Sequence, residues 1–212
     1  MTIDNVKMEK IKMNFNTLHE IFVLTATRSI KRQYRYFILD RARLSEPEIR
    51  HVMAKILEEK KICYGIEIAT KKKHKISGNK MERSALTDLV IYENKKLMGP
   101  HIWIEFKRGQ PGIGKIVKDF IKMMKEPSIQ GACFFHVLPK INSIEKKSNE
   151  RAKKAIIKKY SDAYERAHKH NCGKKWFVLF ILDSNSKQYY FLQKDDICDI
   201  GSFDGRQWMD LK

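Results

Sequence analysis

A chain of 212 residues suffices for one domain with a sizeable core, and it holds no internal repeat or low-complexity stretch of the kind that marks a repeat array. Lysine and arginine outnumber aspartate and glutamate by 43 to 25, a formal net charge of +18, so the simplest partner is a polyanion. Cys63, Cys133, Cys172 and Cys198 are scattered without a CxxC pair, which argues for reduced thiols and against a disulfide frame, and His168 to Cys172 lacks the second cysteine pair a zinc finger needs.

The first residues, MTIDNVKMEKIKM, have no apolar signal-peptide core. Apolar runs such as Trp176 to Leu182 fall far short of a membrane span. The expectation is a cytoplasmic protein with no membrane partner. Residues 1–44 are expected to be a helical N-terminal extension, with residues 45–212 forming the main domain. In the extension Phe15, Leu18, Phe22, Thr25, Ile30, Tyr34 and Ile38 fall at helical spacing. Arg28, Lys31, Arg32 and Arg35 among them read as a solvated face, or as a phosphate-contacting one with Tyr34 and Tyr36 as stacking rings. Such a segment suits an appendage for substrate or dimer contact.

A helix is predicted to begin at Ser45, with Pro47 in its first turn, Glu48 closing an S-x-x-E capping box, and Ile49, Val52, Met53, Ile56 and Leu57 as its buried stripe. Ile62 to Thr70 reads as a strand leading into a basic loop, Lys71, Lys72, Lys73, His74 and Lys75. Glu67 in that strand reads as a surface acid with an ion-pair partner. Two more strands follow, SALTDLVIY and HIWIEFK, joined by a polar turn. Strand alternation puts Ile102, Ile104 and Phe106 on one face and His101, Trp103, Glu105 and Lys107 on the other. Asp88 interrupts the first of these strands and Glu105 the second. Carboxylates and an ammonium on adjacent strands oppose folding and suit chemistry.

Beyond Lys107 a glycine-rich turn leads to a helix with Ile116, Val117, Phe120, Ile121 and Met124 inward. Gly131 to Leu138 reads as a strand covered on both faces. A helix from about Ser143 to His170 follows, capped by Asn142 and Glu145 and stopped by Gly173, with Ala152, Ala155, Ile156, Tyr160, Ala163 and Ala167 as its stripe. Lys146, Lys147, Arg151, Lys153, Lys154, Lys158 and Lys159 make its outside basic. Trp176 to Asp183 and Gln188 to Gln193 form a hairpin around Ser184-Asn185-Ser186.

Asp88, then sixteen intervening residues, then Glu105-Phe106-Lys107 resembles the signature of the PD-(D/E)xK nuclease superfamily, with Thr87 where a proline is often written. The resemblance covers roughly residues 45 to 140, including the order helix, three strands, helix, strand. It implies a restriction-endonuclease-like α/β fold, a mixed central sheet flanked by helices, and a metal-dependent phosphodiesterase acting on nucleic acid, with DNA endonuclease as the first expectation. The implied Mg²⁺ or Mn²⁺ site takes the carboxylates of Asp88 and Glu105 and the main-chain carbonyl of Phe106, hard oxygen donors that suit such ions. An acid from the preceding helix completes it, Glu48 first and Glu46 second. Lys107 would orient or deprotonate the attacking water, its pKa lowered by the metal. Lys71, Lys72, Lys73, Lys75 and Arg108 would contact the phosphate backbone. Dimerisation is possible, because two strands need two sites.

Two other readings compete. One is a binding module of the same fold without activity. The other is a nucleotide-binding loop over Gly109 to Lys115, close to GxxxxGK, with Asp183 as the strand-end acid. There Ile116 occupies the position where a hydroxyl must ligate Mg²⁺.

Overall fold

The computed structural model describes residues 13–35, 44–75, 82–92, 101–138, 146–168, 175–197 and 208–211. In chain order these carry α1 (Phe15–Arg35), α2 (Glu46–Glu59), β1 (Tyr64–Lys75), β2 (Glu82–Tyr92), β3 (His101–Arg108), α3 (Ile113–Lys125), β4 (Ile129–Val137), α4 (Lys146–Ala167), β5 (Trp176–Asp183), β6 (Gln188–Lys194) and β7 (Met209–Asp210). The strands form one sheet in sequential order β1 to β7. β1, β2 and β3 are antiparallel neighbours, β3–β4 and β4–β5 are parallel, and β5, β6 and β7 are antiparallel again. Parallel neighbours need long crossovers, which α3 and α4 supply. The expected α/β class with a mixed sheet and flanking helices is thus present.

Two apolar layers sandwich the sheet. On one face Leu18, Ile21, Phe22 and Ala26 of α1 and Ile49, Val52, Met53 and Ile56 of α2 join Ile102, Ile104, Phe106, Phe135 and Phe180. On the other, Ile116, Phe120 and Met124 of α3 and Ile156, Tyr160 and Ala163 of α4 cover Trp103, Phe134, Phe177 and Leu179. β3, β4 and β5 are therefore buried on both sides, as their nearly unbroken apolar sequences require. At Gly131 a Cβ would lie 2.2 Å from the Trp176 ring on the neighbouring strand, so only glycine fits that approach.

Several expectations change here. α1 is a wall of the core and not an appendage, since Phe22 meets Phe135 and Phe180 edge-on at 5.4 and 5.5 Å. The lysine run expected as a loop is strand: Lys73, His74 and Lys75 pair with Ser84, Arg83 and Glu82, after a register shift between Ala69 and Lys73. Main-chain hydrogen bonds do not depend on side-chain charge, so a paired partner overrides the polar composition. Lys153 is buried, its ammonium held by Glu150, Asp183 and Gln188, whereas Ala155 of the expected stripe is exposed. β7 was not foreseen. Ile38, Asn142, Glu145, Cys172, Gly173 and Cys198 lie outside the described residues. No helix among the described residues is long and apolar enough to cross a membrane.

Candidate functional site

Pairing between β2 and β3 runs from Tyr92–His101 to Leu89–Ile104 and stops there. At the next position, where Asp88 would face Glu105, the Asp88 carboxylate (Oδ2) accepts the Phe106 amide at 2.8 Å. A side chain thus takes over a bond that the ladder no longer provides. Alternation aims Asp88, Glu105 and Lys107 toward the α3 side of the sheet, the face of their strand neighbours Val90 and Trp103.

α3 completes the cluster. Lys122 Nζ donates to Glu105 Oε1 at 2.5 Å and to the Leu86 carbonyl at 2.9 Å. Lys107 Nζ lies 3.0 Å from Asp119 Oδ2 and 3.5 Å from Glu105 Oε2. Lys122 also lies 3.5 Å from Asp119 Oδ1, so two ammonium groups bridge two carboxylates. Glu105 is only 3 % exposed. Burial pushes its pKa up, and the Lys122 ammonium opposes that rise. For Lys107 burial works against the charged form, but Asp119 and Glu105 together outweigh it and raise its pKa above the ordinary lysine value. The chain's own groups therefore hold Lys107 as an ammonium.

The helix acid also changes. Glu48 Oε2 accepts both the Ser45 amide and its hydroxyl at 2.8 Å, and the Glu48 amide donates back to Ser45 Oγ. Glu48 is thus committed to the capping box of α2. Glu46 is the acid that faces the site: Lys107, Asp88 and the Arg108 amide all act on its carboxyl, whose pKa burial raises. The two glutamates lie two residues apart, about 200° around a helix, so they cannot share a direction.

Glu46, Lys107, Arg108, Lys115, Lys118 and Asp119 line an open cleft of about 550 Å³, together with the turn Gln110 to Gly112. Gly109, at φ +72°, lets the chain turn out of β3. Its carbonyl accepts from His136 Nε2, and its amide donates to Val137. Lys159 reaches from α4 to Gln110 and Pro111. The cleft floor is therefore pinned to β4 and α4.

Of the expected phosphate contacts, Arg108 lines the cleft. Lys71 and Lys73 are exposed on β1, and Lys73 lies opposite Ser84, four residues from Asp88, a span of roughly 13 Å along the strand. They do not line the cleft, and the side chains of Lys72 and Lys75 lie outside the described residues. Lys115 and Lys118 stand at the cleft instead. Asp119 and Lys122 escaped sequence reading, although Lys115, Asp119 and Lys122 share helical spacing i, i+4, i+7. That stripe acquires meaning only once α3 is known to lie over the end of β3.

Glu67 pairs with Arg50 at 3.1 Å on the surface, as expected. In the competing loop, Gly112 is the N-cap of α3 and Ile116 is fully buried. Asp183 is committed to the β5–β6 turn through Asn185 and Ser186 and to Lys153. Among the described residues no three His, Cys, Asp or Glu side chains converge closely enough to hold a metal ion. In comparisons with known proteins, no family model, curated protein or solved structure matches the chain.

Proposed function

We propose that this chain is a nuclease of the PD-(D/E)xK type, with a restriction-endonuclease-like core, that hydrolyses phosphodiester bonds in nucleic acid with Mg²⁺ or Mn²⁺, DNA being the substrate we favour. The observation that carries the reading is the meeting of Asp88, Glu105 and Lys107 at the end of β3, beside a cleft rimmed by Arg108, Lys115 and Lys118. The order α2, β1, β2, β3, α3, β4 agrees with the order the resemblance implies.

The donor set suits a hard divalent cation. Around the end of β3 the carboxylates of Asp88, Glu105 and Asp119 are the hard oxygen donors such a cation takes, with the ammonium groups of Lys107 and Lys122 and the cleft cations Arg108, Lys115 and Lys118 beside them. Asp88, Glu105 and the Phe106 carbonyl would hold it, with Glu46 in the role first assigned to Glu48. Such a metal supplies Lewis acidity and an activated water. Lys107, kept charged by its carboxylate neighbours, binds a phosphate oxygen and stabilises charge that grows there. Arg108, Lys115 and Lys118 hold flanking phosphates and thereby set the substrate's register.

A second reading, a binding module without activity, draws on two observations: both Glu105 oxygens face lysines, and among the described residues no three acids converge. One experiment separates the two. Plasmid, linear duplex, single-stranded and branched DNA and RNA are incubated with Mg²⁺, Mn²⁺ or EDTA and either wild type or Lys107→Ala. The nuclease reading expects metal-dependent cleavage reduced about 100-fold or more in the variant with binding retained. Binding without cleavage in any metal selects the inactive module.

A further inference from the structure

We propose that Lys122 is an internal counter-ion that keeps Glu105 from a metal until a divalent cation displaces it. This inference rests on the nuclease reading and concerns how that same site is loaded.

Lys122 is a buried lysine with no place in the mechanism above. Its ammonium meets three acceptors: Glu105 Oε1 at 2.5 Å, the Leu86 carbonyl at 2.9 Å and Asp119 Oδ1 at 3.5 Å. Two of these are hydrogen bonds and the third is a longer ion pair. A divalent ion binding Glu105 would sit about 2.1 Å from a carboxylate oxygen. The Lys122 charge would then lie within the first few ångströms of a like charge, in a setting that solvent screens poorly. A metal bound through Oε1 therefore competes with Lys122 for the same oxygen.

Lys122 can yield without becoming stranded. The Leu86 carbonyl and Asp119 remain as partners of the ammonium, so release from Glu105 breaks one contact of three. Lys107 is held differently: its closer partner is Asp119 at 3.0 Å, with Glu105 Oε2 only at 3.5 Å. Lys107 can thus remain at the cleft while Lys122 retreats. Glu105 stays compensated in either state, first by Lys122 and then by the metal. That exchange accounts for a buried carboxylate that is folded against a lysine instead of being left bare. Because Leu86 belongs to β2, the same ammonium ties the strand that carries Asp88 to α3, so the two strand acids are held near one another before any cation arrives.

The test measures Mn²⁺ binding to the full chain, without nucleic acid, by the electron paramagnetic resonance of free Mn²⁺ and by calorimetry. Wild type is compared with Lys122→Met, Lys122→Arg and Lys154→Met, the last removing an equal charge from the exposed face of α4. Lys122→Met should bind Mn²⁺ at least about tenfold more tightly than wild type, Lys122→Arg no more tightly than wild type, and Lys154→Met within about threefold of it. An affinity in Lys122→Met that is unchanged, weaker or matched by Lys154→Met would overturn the proposal while leaving the nuclease reading in place. Absence of Mn²⁺ binding from wild type and from every folded variant would remove both. Should Lys122→Met fail to fold, a crystal structure of wild type with Mn²⁺ decides. Lys122 Nζ is expected off Glu105 and still on the Leu86 carbonyl, and Nζ retained on Glu105 with the metal bound overturns the proposal.

Discussion

His136 sits fully buried between the Tyr160 hydroxyl, 3.1 Å from Nδ1, and the Gly109 carbonyl, 3.0 Å from Nε2. Burial pushes its pKa down from 6.5 to about 3, against the Gly109 carbonyl that favours the protonated ring. The unfolded chain takes up a proton near pH 6.5 that the folded chain refuses until about pH 3. This contribution to stability is therefore complete above pH 6.5 and is lost as pH falls through that window, by an amount on the order of a few kcal/mol. Denaturant unfolding at a series of pH values should show this slope, and His136→Gln should flatten it whatever its effect on absolute stability. The two acids at the start of α2 separate in the same manner. Glu48→Ala removes the reciprocal half of the capping box and should cost about 1 kcal/mol in chemical denaturation with metal binding intact. Glu46→Gln should leave stability nearly unchanged and reduce metal-dependent cleavage.

At the scale of elements, α1 shows how far packing can outweigh position in the chain. Its inner residues Leu18, Ile21, Phe22 and Ala26 are fully buried against the sheet. Phe22 bridges the stacked pair Phe135 and Phe180, whose rings lie 4.8 Å apart. Phe22→Ala should thus destabilise the whole domain by about 3–5 kcal/mol in equilibrium unfolding, through lost burial and the cavity left behind. A loosely attached extension would instead tolerate the change with under about 0.5 kcal/mol. α3 has two roles of its own: its apolar stripe closes one layer of the core, and its polar edge brings Asp119 and Lys122 to the strand acids.

For the whole molecule, the basic excess is unevenly useful. Arg108, Lys115 and Lys118 stand at the cleft, while Arg151, Lys154 and Lys158 are exposed along α4. If the three cleft cations each meet one phosphate of a duplex, the log–log salt slope of binding should be about −3 or steeper, roughly a 40-fold loss between about 50 and about 200 mM salt. Lys118→Ala should flatten that slope by about one unit in a fluorescence-anisotropy titration, whereas Lys73→Ala, away from the cleft, should leave it within error.

By itself the sequence determined what periodicity encodes. Apolar spacing located α2, α3, α4, the first part of β1 and β2 to β6, the S-x-x-E pattern placed the capping box, and alternation put Glu105 and Lys107 on one face of β3 and Phe106 on the other. These are local properties, set within a few residues by backbone geometry. Tertiary structure alone decided which charges meet. That Glu46 and not Glu48 faces the site, that Lys107 meets Asp119 and Glu105, and that the lysines of β1 pair as strand depend on contacts between residues distant in the chain. Coulomb and desolvation energies are functions of separation and burial in space, which spacing along the chain does not record.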